Sequence, residues 1–312
     1  MTDSSPSDDP AEPLSAAPTT VPDEALDPAG SAPNVTAGDD QPVVADDLVI
    51  IDDLERIELF GLQMVNAESL DPVIDELLDG PRRDDTILPV VLTPNVDIVV
   101  HLEEDQDTIE ADLFRRAQFC LPDGQPLVLF SRIHGERLKA RLPGSGLFAE
   151  LWPRLVAEKR PVIVVASSDH IADRLREEHP KAGFIVPPMF DAADPEQVDA
   201  IVDELLTTAR AIRPDMVLVG IGNPKDARLI AALFARWDER LGPKPLCLGL
   251  GGSFAMYLGI TRRAPDWIQR IGMEWFFRFL QEPRRLFHRY FVRDAAFLGI
   301  MKREWQAGRS NR

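Results

Sequence analysis

Cysteine, paired histidines and long apolar runs are scarce in this 312-residue chain, and each shortage removes a class of function. Its two cysteines, Cys120 and Cys247, have no metal-like spacing and sit in apolar contexts, so they read as buried thiols rather than a disulfide or nucleophile pair. His101, His134, His170, His179 and His288 show no paired spacing and no nucleophile motif beside them. None is assigned a catalytic role. Ser131, Ser167 and Ser253 lack the nucleophile-elbow sequence. No stretch approaches the roughly 18–20 apolar residues that a spanning helix needs. The expected body is therefore cytoplasmic, and any membrane contact peripheral.

Basic residues are absent from the first 47 positions, which hold eleven Asp/Glu and eight prolines. Such a segment buries too little apolar area to offset the entropy of ordering, so residues 1–47 are expected to be a disordered acidic tail. With no basic start and no apolar core it is not a signal peptide. The charge of −18 divides into −11 for the tail, −14 for residues 48–261 and +7 for residues 262–312. An acidic middle argues against nucleic acid as a partner.

From residue 48 onward, short apolar runs alternate with amphipathic stretches, the pattern of an α/β fold. Strands are expected at Pro89–Thr93, Leu127–Phe130, Val162–Ala166, Phe184–Val186, Met216–Ile221 and Leu246–Leu250. Helices are expected at Leu70–Leu78, Val96–Glu104, Phe148–Glu158, Asp169–Glu178, Pro195–Ile212 and Lys225–Trp237. Runs that are apolar throughout predict burial on both faces, hence a mostly parallel, Rossmann-like sheet flanked by helices. After Ile260 the pattern changes to Arg- and aromatic-rich helices, so residues 48–261 are read as the α/β domain and 262–312 as a helical, membrane-proximal appendage.

Four turns hold residues that could carry chemistry. Thr93 and Asn95 close a strand and open a helix, where either could be a cap or a site residue. Asp123-Gly124 is a common turn pair and by itself carries no functional meaning. Gly222-Asn223-Pro224-Lys225-Asp226 runs from a strand into a helix start, where backbone amides and the Lys225 charge would face an anion. It is neither a Walker loop nor a dinucleotide glycine loop, which leaves a nicotinamide oxidoreductase remote. Gly251-Gly252-Ser253-Phe254 repeats the strand-to-turn pattern, and close strand–helix packing would explain its glycines as well as ligand approach. Asp105-Gln106-Asp107 has the form of a metal-binding pair but lies in a run of acids, and a solvated charge run is preferred, with no metal expected.

The richest stretch is Arg262 to Tyr290, with two tryptophans, four phenylalanines and seven arginines. Arg263-Ala264-Pro265-Asp266-Trp267, Gly272-Met273-Glu274-Trp275 and Glu282-Pro283-Arg284 through Arg289-Tyr290, together with the preceding Gly249–Gly259 segment, resemble the signature of the WecG/TagA/CpsF glycosyltransferases (glycosyltransferase family 26). The resemblance extends over roughly Leu59 to Tyr290. It implies that Thr93 and Asn95 lie in the acceptor and nucleotide cleft, and that Asp123 is the general base. It also implies that Arg141, Lys225 and the glycine-turn amides offset charge on a departing UDP. Family members are regarded as metal-independent, and no cofactor is implied. The arginines Arg278, Arg284, Arg285, Arg289 and Arg293 are assigned to the membrane or acceptor, while much of the Trp267–Phe279 face is assigned to core.

This resemblance implies an inverting transferase moving a sugar, N-acetylmannosamine-like or another hexose, from a UDP donor to an undecaprenyl-diphosphate-linked saccharide. Such work belongs at the inner face of the cytoplasmic membrane, in surface polysaccharide synthesis, and leaves a homo-oligomer open. The chain departs from the family pattern at Gly146, Asp226, Ala227 and Ala255. A binding or scaffold subunit that had lost transfer chemistry is the competing expectation.

Overall fold

The structure is a computed structural model, and it describes residues 54–79, 87–261, 265, 277, 280 and 294–310. The acidic tail, the Trp267–Phe279 face apart from Phe277, and Arg278, Arg284, Arg285, Arg289 and Arg293 lie outside the described residues. Those that are described belong to one compact unit, residues 46–312.

An eight-stranded sheet forms the centre, in the order β1-β2-β4-β3-β8-β7-β5-β6. Its strands are β1 (Arg56–Leu59), β2 (Leu62–Val65), β3 (Leu88–Leu92), β4 (Ala117–Cys120), β5 (Val162–Ala166), β6 (Gly183–Ile185), β7 (Met216–Gly220) and β8 (Leu246–Gly249). Every pairing is parallel except the β1–β2 hairpin. Side chains of β3, β5, β7 and β8 are buried throughout, as two covered faces require. Cys120 and Cys247 are buried thiols, and burial pushes Cys120 up to about 12.

Helices cover both faces. On one face lie α2 (Val96–Glu104), α3 (Ile109–Arg115), α4 (Gln125–His134), α7 (Pro195–Ile212) and α8 (Lys225–Arg236), packed against one core cluster. On the other lie α1 (Asp71–Asp79), α5 (Gly144–Glu158), α6 (Asp169–Glu178) and α9 (Ser253–Tyr257), packed against a second. Alternate residues of a strand divide between the clusters: Ile163 and Val165 join the first, Val162 and Val164 the second, the period-two geometry of a pleated sheet. The final helix α10 (Asp294–Ser310) lays Phe297 and Ile300 into the first cluster and rests on α2 and α4.

One expected strand is a helix. Leu127–Phe130 lies in α4, because its burial follows helical spacing: Leu127, Val128 and Ser131 face inward while Leu129 faces solvent. Pro126 suits a first helical turn, and Gly135 at φ 109° ends the helix in the left-handed region. A short apolar run does not by itself distinguish strand from helix. The strand that belongs there is β4, a four-residue segment holding the buried polar Gln118.

The β1–β2 hairpin turns through Phe60 (φ 57°) and Gly61 (φ 66°), the double left-handed geometry of a type I′ turn. An aromatic residue there is strained. Three contacts hold it: the Phe60 ring lies 5.2 Å from Phe130 and 5.4 Å from Phe297, and its N–H donates to Glu304 Oε1 at 2.9 Å.

Gly220 at the end of β7 abuts Phe254, and a Cβ there would lie 2.3 Å from Phe254 Cε2. Gly220→Ala is expected to cost about 1–3 kcal/mol by overpacking, read as a lowered melting midpoint. Adding Phe254→Leu should recover part of the loss, and an unchanged midpoint in the single variant would contradict this contact.

Candidate active site

In a parallel sheet each strand hands the chain to a helix at its carboxyl end, and a crevice opens where neighbouring strands send helices to opposite faces. β3, β4 and β7 lead into α2, α4 and α8 on one face, whereas β8, between β3 and β7, leads into α9 on the other. The crevice therefore centres on β8. With β4 in place, all four turns singled out from sequence end the adjacent strands β4, β3, β8 and β7.

Backbone contacts tie these turns together. The Asp123 N–H donates to Pro94 O at 3.0 Å, and a Cβ on Gly124 would lie 3.6 Å from the Asn95 Cα. Asn95 Oδ1 accepts from the Ile98 N–H at 3.3 Å and caps α2. Asp123 and Thr93 are half-buried at the rim. Arg141 precedes Leu142, whose N–H donates to Pro122 O at 2.8 Å, so its backbone lies beside the Asp123 turn. Sequence alone did not mark Gly144, at the start of α5. A Cβ there would meet Thr93 Oγ1 at 3.2 Å and Ser253 Oγ at 3.5 Å, so its bare backbone lets α5 approach both turns.

Two further anchors were also not legible. Asn66, buried at the end of β2, accepts from the Lys139 N–H at 2.8 Å and donates to Glu55 Oε1 at 2.8 Å, fixing the segment that leads to Arg141. Glu178 of α6 accepts from Trp152 Nε1 (2.8 Å) on α5 and from the Tyr257 hydroxyl (3.0 Å) on α9. Both helices that begin at the crevice are thereby tied to α6 through an exposed carboxylate at the surface.

Asp226 is the largest departure from the sequence expectation. Its side chain does not reach into the crevice. It is only 4% exposed, and its Oδ1 accepts from the N–H groups of Ile221 (2.9 Å) and Gly222 (2.8 Å) while Oδ2 accepts from Gly251 (2.7 Å). Amides expected to face a ligand's anion thus face the chain's own carboxylate, which fastens the β7 turn to the β8 turn. Burial pushes Asp226 up from 3.8 to about 6, and the three amide bonds oppose that rise without cancelling it.

The other altered positions are also absorbed into the fold. Ala227 is buried, a Cβ on Gly146 would meet Leu70 at 3.0 Å, and Ala255 packs against the second cluster. Ser253 is buried with its hydroxyl donating to Leu250 O, and Phe254 packs in the core with its ring 4.6 Å from that of Phe148 and tilted 51° to it. Neither side chain faces the crevice opening. Gly222, Asn223, Pro224, Lys225, Gly251 and Gly252 remain at the rim. Asp105 and Asp107 lie exposed just past the far end of α2, away from this edge. Among the described residues no group of three His, Cys, Asp or Glu side chains is arranged to hold a metal.

The model of the WecG/TagA/CpsF glycosyl transferase family matches residues 57–311. The chain belongs to this family. It is similar to two curated relatives, both named N-acetylglucosaminyldiphosphoundecaprenol N-acetyl-beta-D-mannosaminyltransferase. The relative from Bacillus subtilis (strain 168) is 29% identical over 220 residues, 67% of this chain and 78% of the relative. That from Bacillus spizizenii (strain ATCC 23059 / NRRL B-14472 / W23) is 30% identical over 173 residues, 54% and 63% respectively. As a WecG/TagA/CpsF family member the protein is a glycosyltransferase. The edge built by β4, β3, β8 and β7 is its candidate active site.

The raised Asp226 value makes a signed prediction. A carboxyl whose folded value lies above its unfolded one favours folding in acid, and that contribution is withdrawn as pH rises from 3.8 through about 6. Asp226→Asn cannot titrate. The stability of wild type minus variant, measured by denaturant unfolding, should therefore fall across that window and level off above it. A flat difference would mean that Asp226 titrates at its ordinary value.

Proposed function

We propose that this glycosyltransferase moves an N-acetylmannosamine-type sugar from a UDP donor to an undecaprenyl-diphosphate-linked saccharide. The observation that carries this is the convergence, on one edge of an acidic protein, of the Asp123, Lys225 and Arg141 segments and the amino ends of α2, α4, α5 and α8. Helix amino ends carry partial positive charge and suit a diphosphate. The names of the two relatives supply the sugar and the lipid-linked acceptor.

Asp123 takes the proton from the acceptor hydroxyl as its oxygen attacks the anomeric carbon. The bond from that carbon to UDP breaks in the same displacement, inverting the centre. Lys225 and Arg141 hold the diphosphate as its charge grows. Thr93 positions the substrates. Asn95, whose side chain caps α2, acts by fixing the turn between Thr93 and that helix. Asp123→Asn should lower turnover about 100-fold or more while donor binding stays intact. The assay is UDP release from UDP-N-acetylmannosamine and other UDP-sugars with a polyprenyl-diphosphate-linked N-acetylglucosamine in detergent. Turnover surviving in the variant would sink the base assignment.

No described helix is long and apolar enough to cross a membrane. Leu129 and Ile133 on α4 and Leu298 and Trp305 on α10 are exposed, Ile133 at 73% and Leu298 at 65%. Arg303 of α10 pairs with Glu103 of α2 at 2.6 Å, so Leu298 and Trp305 fall on the opposite, α4-facing flank of the helix. Exposed Arg132, Arg137 and Lys302 border this strip. Apolar side chains rimmed by cations on an acidic protein suit an anionic bilayer surface. Ile133→Glu with Leu298→Glu should reduce co-sedimentation with phosphatidylglycerol vesicles. Unchanged sedimentation would remove the strip from the membrane face, and self-association abolished by the same changes would assign it to a second copy.

A further inference from the structure

Lys225 is the first residue of α8, beside the β7 turn, and among the described residues no carboxylate lies within ion-pair distance of it. Its Nζ instead sits 4.5 Å from the centroid of the Phe190 ring. Phe190 belongs to the loop after edge strand β6, and β5 separates β6 from β7. Two strand spacings, roughly 10 Å, must be crossed for this contact. The loop is built to cross it. Pro187 and Pro188 restrict its backbone. The Ala193 N–H donates to Asp191 Oδ1 at 3.0 Å within the loop, and the Asp191 N–H donates to Gln197 Oε1 at 3.0 Å, fastening the loop to the first turn of α7. Phe190 itself is buried at 7% exposure, so its ring has a fixed place.

We propose that Phe190 is a positioning residue for the donor site, holding the Lys225 ammonium where the donor's diphosphate binds. The inference rests on the reading of Lys225 given above. A lysine on a four-carbon stem wanders among rotamers unless something holds it. A carboxylate partner would hold it but cancel its charge against the ligand. An aromatic face attracts the ammonium through its quadrupole and carries no net charge, leaving the full positive charge for the phosphates. The loop after β6 thereby becomes a wall of the donor pocket, although it lies outside the four central strands.

The test is UDP binding by calorimetry and donor KM by UDP release, on the full chain. Phe190→Leu keeps an apolar side chain but removes the π face. It should weaken UDP binding and raise donor KM about 2- to 10-fold, with acceptor KM and the melting midpoint little changed. Phe190→Tyr should restore wild-type values, and Phe190→Met replaces the leucine variant should that one not fold. In the Lys225→Ala background Phe190→Leu should have no further effect, because the two act as one unit. Additive losses would overturn the proposal, as would a normal donor KM in Phe190→Leu where Lys225→Ala raises it. An unchanged donor KM in Lys225→Ala would overturn the Lys225 reading and this proposal together.

Discussion

A carboxylate taken out of water keeps its charge only where other dipoles replace the water, and the site is organised around one such replacement. Asp226 is fully enclosed, and three backbone amides from two different turns point at it. Desolvation still outweighs those bonds, since its pKa stands near 6. The arrangement joins the ends of β7 and β8, and a single side chain thereby sets the floor of the crevice. The β8 turn in turn meets α5 and Thr93 through Gly144. A change at Asp226 would propagate to every turn on the edge.

Electrostatics divides labour along that edge. The chain carries −18 overall, an unpromising background for a dianionic donor. Helix amino ends and two basic side-chain positions concentrate positive potential on one rim. Asp226 takes three of the turn amides for itself, so fewer amides of these turns are left to face an anion. On the proposed reading, more of the diphosphate's charge then falls to Lys225, and its contact with Phe190 gains weight accordingly.

Much of the fold was legible because a two-sided parallel sheet writes itself as uniform apolar runs. β5, β7 and β8 were placed to within one residue on that signal, and α6 and α7 on helical periodicity; the structure adds N-caps at Ser168 and Asp194. The α4 segment failed because four consecutive apolar residues fit either period, and β4 was missed because Gln118 breaks its run. Site turns were legible from glycine, Asn and Asp at strand ends. What they do in space was not. Asp226 read as part of an anion-facing turn, and only three-dimensional proximity to Gly251, 25 residues on, reveals the tie. Phe190 carried no local signal, because its partner Lys225 lies far along the chain and two strands away.

The strained hairpin turn at Phe60 depends on a partner made very late. Its N–H bonds Glu304 across a separation of 244 residues, and its ring shares the core with Phe297. Contacts of such high sequence separation close slowly and only after loop-closure entropy is met. During synthesis the hairpin emerges well before α10, so its turn lacks these two contacts until α10 has been made. A chain lacking α10 would leave Phe60 without these contacts, and apolar surface bared in that way favours aggregation.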